Sequence, residues 1–326
     1  MKQEETLAFW VAAAGRGEIR GETLATPVPG EVEVQALYSG VSRGTESLVF
    51  RGHVPPSEYQ RMRAPFQAGQ FPAPVKYGYA SVGRVLKGPA DRVGSTVFCL
   101  YPHQQRYVLP AFAAFSVPAN VPPARAILAA NLETALNGVW DSGVGPGDRV
   151  TVIGAGSVGC LVAWLAARIP GCDVELVDLN PTRRAVADRL GVKFAHPDSA
   201  RERADVVLHA SGSAEGLALA MRVAAFEATI IELSWYGDRP VTLALGEAFH
   251  SQRLTLKSSQ VGTVADSRRG RWTFARRMEL ALSLLEAPEL DALINSEGCF
   301  EDLPLALGEL SRAPGNVIMH RVNYDN

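Results

Sequence analysis

The run Gly154-Ala155-Gly156-Ser157-Val158-Gly159 stands between an apolar stretch, DRVTVI, and a second one of helical character, SVGCLVAWLAARI. Each glycine in such a run has its own task. The first allows a tight turn, the second lets backbone approach a pyrophosphate, and the third lets helix and strand pack closely. A helix opening near Ser157 adds its N-terminal amides and dipole to the attraction of the anion. Asp178 closes the next strand-like stretch, DVELVDL. It lies about 20 residues on, where a carboxylate grips the ribose hydroxyls of a dinucleotide. An ordinary strand-end carboxylate is the other reading of Asp178. The same charge repels a 2′-phosphate, and Leu179 rather than Arg follows it, so NAD(H) is expected in preference to NADP(H). Arg183 and Arg184, a turn into the next helix, could still be recruited to a phosphate. Other cofactor-lining candidates fall where strands end: Ser211 and Gly212, Ser234 to Gly237, and Ser258 to Gln260 with Ser259 between them.

Positioning that run takes an α/β sheet. DRVTVIGA, DVELVDL, ADVVLHASG, ATIIELSWYG and LTLKSSQ read as strands, with helices between the earlier ones. One helix, PTRRAVADRLG, has Asn180 as N-cap, Pro181 at its first position and Gly191 just past its end. The alternation predicts a doubly wound parallel sheet. Upstream, TLAFWV, EVEVQALYS, YASVGRVL, STVFCLY and QRYVLP are short strands between turns, the spacing of a partly open β-barrel. A Pro- and aromatic-rich loop, HVPPSEYQRMRAPFQAGQFPAP, interrupts them, and loops of this length are usually functional or mobile. SVPANVPPARA leads into the sheet, FARRMELALSLLEA follows it as a helix, and NVIMHRVNY reads as a strand returning to the first unit.

With 326 residues, 47% hydrophobic and 20% charged, the chain suits two globular domains, each with its own core. A formal charge of -2 gives no bulk attraction to nucleic acid or to an anionic membrane. Its apolar runs are too short to span a bilayer, and the acidic opening MKQEETLAFW lacks a signal-peptide pattern. Cys99, Cys160, Cys172 and Cys299 are scattered without a C-x-x-C pair. That usage points to reduced thiols in the cytoplasm, not to a disulfide framework or a cysteine zinc knot.

YSGVSRGTE, KYGYASVGRV and GVGPGDRVTVIGAGSVG, spread along nearly the whole chain, resemble segments of the medium-chain dehydrogenase/reductase (zinc alcohol dehydrogenase-like) superfamily. The first two are most similar to the branch containing bacteriochlorophyllide side-chain dehydrogenases. The resemblance implies a GroES-like β-barrel substrate domain from residues 1–118 and 263–326, with a Rossmann domain from residues 119–262. It also implies hydride transfer in the cleft between them, and a homodimer. In that family the catalytic zinc sits on a Cys, the His of a Gly-His-Glu segment, and a third Cys, Asp or Glu. The matching positions here hold Ser42, Tyr79 and Ala130, and the four-cysteine lobe of the structural zinc is missing. A hydroxyl, a phenol and a methyl are not the ligand set zinc requires, so no zinc is expected at that site. A rearranged site from Glu46, His53 and Glu133 is the alternative, although such residues are more often solvated or capping.

Without a metal, another group must stabilise alkoxide or enolate charge and move a proton. Tyr79 stands where the family places a ligand, and a phenol near pKa ~10 donates if a neighbouring cation lowers that value. Arg43 and Lys76 are the cations at hand, though Lys76 points to the opposite face of a straight strand. The alternative is an aromatic ring that plugs the emptied pocket. Ser42 and Thr45, on one turn, either relay a proton or stabilise the turn. Glu133 is read as a favourable charge opening a helix, and His209 as a group facing nicotinamide or a packed, hydrogen-bonded His. Phe66, Phe71, Trp235 and Tyr236 are expected to line a pocket for a bulky, largely apolar small molecule. Asp266 to Arg271, DSRRGR, either clamps an acidic group or stays a solvated loop. The activity expected is that of a zinc-independent, NAD(P)-dependent alcohol dehydrogenase or carbonyl reductase. The rivals are an NADPH-dependent enoyl or quinone reductase of the same fold and a non-catalytic dinucleotide-binding protein.

Overall fold

A computed structural model describes residues 4–313 and 315–324. The chain divides into two compact units, Met1–Ala130 with Met278–Asn326, and Asn131–Arg277.

Alternating apolar and polar residues build the first unit. Strands β1 (Glu5–Ala13) and β2 (Arg16–Thr23) form a hairpin turned at Gly15, whose φ of +73° suits a residue without a side chain. Strand β3 (Glu31–Val41) runs straight into helix α1 (Arg43–Phe50). The aromatic-rich stretch then contributes β4 (Ala68–Gly69) and β5 (Val75–Lys76), which extend the first sheet in the order β2-β1-β5-β4. The remaining strands before the crossover are β6 (Ser81–Lys87), β7 (Thr96–Cys99), β8 (Arg106–Pro110) and β9 (Ala114–Ser116). Their inward residues, among them Val34, Ala36, Val85, Val97, Tyr107 and Leu109, form one buried cluster. A short helix, α2 (Pro123–Ala126), follows the Pro-rich stretch.

The second unit starts within helix α3 (Ala129–Ser142). Its elements alternate: β10 (Arg149–Ile153), α4 (Ser157–Ala166), β11 (Asp173–Val177), α5 (Arg183–Leu190), β12 (Lys193–Ala195), β13 (Ala204–His209), α6 (Ala214–Val223), β14 (Ala224–Glu232), α7 (Ala248–Ser251) and β15 (Thr255–Ser258). All pairings are parallel, in the order β12-β11-β10-β13-β14-β15. This is the Rossmann-type doubly wound sheet, and the strand order reverses between β10 and β13. One detail departs from expectation: Thr182, not Asn180, occupies the N-cap of α5. Asn180 Oδ1 instead accepts from the Thr182 amide at 3.0 Å and hydroxyl at 2.8 Å, a local turn that delays the helix.

Helix α8 (Phe274–Leu284) leads back to the first unit, followed by β16 (Ile294–Cys299), α9 (Leu303–Arg312) and β17 (Met319–Asn323). The returning strand is where the sequence places it: β17 pairs antiparallel with β3 and completes a seven-stranded sheet, so the β-rich unit is made from both ends of the chain. The unit boundaries fall inside α3 and α8, whereas the sequence reading put them at residues 118/119 and 262/263. Val121 and Ala126, beyond the first proline, are buried in the first unit, so prolines here mark a bend within a unit and not its edge. No helix among the described residues is long and apolar enough to cross a membrane.

Burial pushes the Tyr77 and Tyr107 phenols well above their ordinary value. Both rings are buried, so unfolding above pH ~10 releases their protons and the native state loses stability as pH rises. Each contributes a loss of up to about 1.4 kcal/mol per pH unit until the folded phenol also ionises. Urea unfolding followed from pH 9 upward checks this, and a flat profile contradicts it.

Candidate active site

Tyr79 precedes β6, and the residue before it explains its surroundings. Gly78 has φ +132°, and a Cβ there would lie 2.9 Å from His103 Cδ2, so only glycine lets the chain pass that imidazole. The Tyr79 phenol hydrogen-bonds to the side chains of Ser42 and Thr45. Ser42 caps α1 with backbone geometry alone, making no side-chain cap bond. Its amide donates to Glu46 Oε1 at 2.7 Å. Glu46 Oε2 meets His103 Nε2 at 2.8 Å, and His103 Nδ1 faces Ser39 Oγ at 2.7 Å. Ser39 Oγ in turn lies 2.9 Å from the Tyr324 hydroxyl. Glu46 and His103 are almost wholly buried. One connected network thus runs from the start of α1 through Glu46 and His103 to the returning C-terminal chain, and the Tyr79 phenol meets the same first turn of α1 through Ser42 and Thr45.

Loss of water around the Tyr79 phenol, reinforced by repulsion from the Glu46 carboxylate, pushes its pKa up to about 12, against the pull of the Ser42 and Thr45 hydrogen bonds. The group is therefore a protonated donor at neutral pH. This overturns the expectation of a neighbouring cation. Lys76 is buried and donates to Glu22 at 2.6 Å and Gln104 at 2.7 Å, and Arg43 reaches the Val317 carbonyl at 3.2 Å. The charge that acts on Tyr79 is an anion.

The positions matching the family's zinc ligands do not fit the ion. Tyr79 is held as a phenol, Ser42 is its hydrogen-bond partner, and Ala130 has no donor atom. Glu46 pairs with His103 and not with His53, and Glu133 Oε1 accepts from Arg277 Nε at 3.0 Å. Among the described residues no group of three or more His, Cys, Asp and Glu gathers as a metal site. Glu133 also departs from its expected place. It lies a turn inside α3, not at the start, and is buried; burial raises its carboxyl and Arg277 opposes that.

The pocket aromatics divide. Phe71 is core, its ring 5.8 Å from Tyr59 and 5.7 Å from Tyr77, and Tyr77 stands edge-on to Tyr79 at 5.9 Å. Phe66 is 38% exposed and stacks on Tyr101 at 5.3 Å. Its φ of +57° is a left-handed conformation that costs a phenylalanine about 1 kcal/mol or more. Trp235 and Tyr236 belong to the second unit. Tyr236 is not a free wall: its hydroxyl donates to Glu232 Oε2 at 2.9 Å.

In the second unit the dinucleotide run behaves as its glycines require. Gly154 has φ +102°, and a Cβ there would strike Ser211 Cα at 2.6 Å. At Gly159 a Cβ would lie 1.8 Å from the Gly154 carbonyl oxygen, whereas at Gly156 nothing stands within 4 Å. The loop therefore packs tightly on its inner side and is open on the side where a pyrophosphate would meet the first turn of α4, formed by Ser157, Val158 and Gly159. Asp178 lies at the end of β11, with Oδ2 accepting from the Ala155 amide at 2.6 Å and Oδ1 from the Asn180 amide at 2.8 Å. Each oxygen keeps a lone pair for a ribose hydroxyl. These residues fit a bound dinucleotide.

The other candidates are built in more firmly than the sequence suggests. Arg183 is buried with its charge acting on Cys160, and Arg184 lies over the Phe194 ring at 5.0 Å. Ser234 Oγ accepts from the Gly212 amide at 3.0 Å, and Ser259 Oγ donates to Asp141 Oδ2 at 2.7 Å. His209 is fully buried between Glu232 and Ser211, the packed alternative of its two readings. In DSRRGR, Asp266 pairs with Arg269 while Arg268 covers Trp140 at 5.6 Å. Sequence reasoning missed His103, Ser39 and Tyr324 altogether. They lie far apart along the chain and meet only through strand pairing, so no local spacing announced them.

No family model matches the chain. Curated relatives do. A D-guloside 3-dehydrogenase of Escherichia coli (strain K12) is 25% identical over 285 residues, covering 78% of this chain and 81% of its own. A 2-desacetyl-2-hydroxyethyl bacteriochlorophyllide A dehydrogenase of Rhodobacter capsulatus is 27% identical over 215 residues, covering 60% and 62%. Among solved structures, acetophenone reductase from Geotrichum candidum in complex with NAD superposes with a TM-score of 0.80 at 15% identity, covering 99% of this chain and 98% of that one. At that identity the superposition speaks for the fold alone. Fold and relatives together define a two-unit dehydrogenase of the alcohol dehydrogenase-like kind. The curated relatives are zinc-type alcohol dehydrogenase-like proteins, and the chain is similar to that medium-chain dehydrogenase/reductase group.

Proposed function

We propose that the chain is a zinc-independent, NAD(H)-preferring alcohol dehydrogenase or carbonyl reductase in which Tyr79 handles the proton. The observation that carries this reading is the Tyr79 phenol, bonded to Ser42 and Thr45 and pushed up to about 12, at the position that the family resemblance matches to a zinc-binding His. A bound nicotinamide would supply or accept the hydride. Tyr79 holds a hydrogen at the phenol oxygen, ready for a carbonyl oxygen that gains negative charge. Ser42 and Thr45 orient that phenol and give the proton a path to the start of α1. Glu46, kept in place by His103, holds Ser42 through its amide. The Tyr77 ring, edge-on to Tyr79, gives the phenol an apolar neighbour and is compatible with a bulky, largely apolar alcohol or ketone. Unpaired cysteines and the family resemblance support a cytoplasmic homodimer.

NAD(H) preference rests on Asp178. Asp178→Asn removes the charge and keeps an acceptor for only one of the two local amides, its NH2 facing the other. It is expected to weaken NADH binding by roughly 10-fold or more and to narrow the gap to NADPH, as loss of a charged hydrogen bond does. Fluorescence titration with both cofactors checks this; an unchanged ratio contradicts it. The activity itself is tested by offering the purified protein NADH and NADPH with matched ketones and enones. Ketone reduction with NADH supports the proposal. Enone reduction with NADPH points to the reductase rival, and tight cofactor binding without turnover points to a retired enzyme.

A further inference from the structure

We propose that Ser211 is an activated nucleophile that accepts acyl groups from small esters, a second reactive centre beyond the hydride chemistry. Ser211 stands in the turn between β13 and α6, exposed to solvent, with Gly212 beside it at φ +68°. A serine on a strand-to-helix turn is the placement that presents a hydroxyl to an incoming carbonyl. Its Oγ lies 2.6 Å from His209 Nε2. His209 Nδ1 lies 2.9 and 2.8 Å from the two oxygens of Glu232, directly opposite on the neighbouring strand. Tyr236 donates to the same carboxylate at 2.9 Å, and the Ser234 amide donates to it at 2.7 Å. Glu232 can only accept, so the His209 hydrogen sits on Nδ1. The Nε2 lone pair then faces the Ser211 hydroxyl. That is the nucleophile, base and orienting acid of a Ser-His-Glu set, with the base fully buried, the acid half-buried and the serine open.

A glycine supports the same conclusion. Gly216 sits in the first turn of α6, where glycine costs about 1 kcal/mol relative to alanine. A Cβ there would lie 2.2 Å from Ser211 Oγ and 2.7 Å from His209 Nε2. The helix gives up that propensity where a side chain would split the serine from its base. The amides of Ala214 and Glu215, at the same helix end, have no hydrogen-bond partner among the described residues. They and the helix dipole are suited to a developing oxyanion.

In the step proposed, Ser211 Oγ bonds to the ester carbonyl carbon while its proton passes to His209 Nε2. The carbon–oxygen bond to the leaving alcohol breaks, and the imidazolium returns the proton to the departing alkoxide. Water then hydrolyses the acyl-serine with His209 again as base.

The test is labelling of the purified full chain with a fluorophosphonate, read by intact mass and peptide mapping. One adduct on Ser211 is expected, absent in Ser211→Ala. Gly216→Ala, favourable to the helix on propensity, is expected to slow labelling by about 100-fold or more, the scale of a lost general base. Glu232→Gln is expected to slow it less, and circular dichroism with urea unfolding of each variant confirms that the unit is folded. An unlabelled wild-type chain, an adduct at another residue, or a Gly216→Ala variant that labels at the wild-type rate overturns the proposal. Labelling needs no hydride transfer, so either reading can fail while the other stands.

Discussion

Tyr79→Phe is expected to lower kcat for ketone reduction by about 10²- to 10⁴-fold, the usual worth of a positioned general acid, while the NADH dissociation constant stays put. The change removes one oxygen and keeps the ring, so the edge-on contact with Tyr77 survives and stability changes little. The pH profile separates a proton donor from a space-filling ring. Because burial and Glu46 push the wild-type phenol up to about 12, it stays protonated and reduction should be flat between about pH 6 and 9. Alcohol oxidation needs the phenolate, so its rate should climb about tenfold per pH unit over the same range. In Tyr79→Phe that slope should vanish. Equal kcat in variant and wild type would leave Tyr79 as packing only.

His103→Ala is expected to cost about 3–5 kcal/mol of stability, the loss seen when one member of a buried pair is deleted and the other stays behind. Glu46 would keep only the Ser42 amide, and Ser39 would lose its imidazole partner. Urea unfolding of wild type and variant gives the number. The double variant Glu46→Gln with His103→Ala should cost less than the two single changes combined, because the residues share one hydrogen bond. A loss below about 1 kcal/mol for His103→Ala would show that the pair holds nothing in place.

How far the molecule was legible in its sequence depended on how local each signal was. Gly154, Gly156, Gly159 and Asp178 lie on consecutive elements, and spacing alone placed them correctly around one turn. Tyr79, Ser42 and Thr45 also came together as read, through a family resemblance that aligned two distant segments. The electrostatics did not follow. Nothing local showed that Lys76 would be consumed by Glu22 and Gln104, nor that Glu46 would turn toward an imidazole 57 residues away. Strand pairing made those choices. The unit boundaries were missed for a similar reason, since prolines signal a break in regular structure and say nothing of which core the neighbouring residues enter. Phe71, Tyr236 and Arg183 show the same limit: a residue type fit for a pocket or a phosphate was instead used for packing and bracing.

The central claim is that hydroxyl-bearing side chains, not a metal, manage the proton. It is tested most directly by measuring zinc content and NADH-dependent ketone reduction on one preparation, before and after exhaustive chelation. Turnover that persists undiminished with zinc far below one per chain is the result expected. Zinc bound one to one, with activity lost on its removal and restored on its return, would contradict the account.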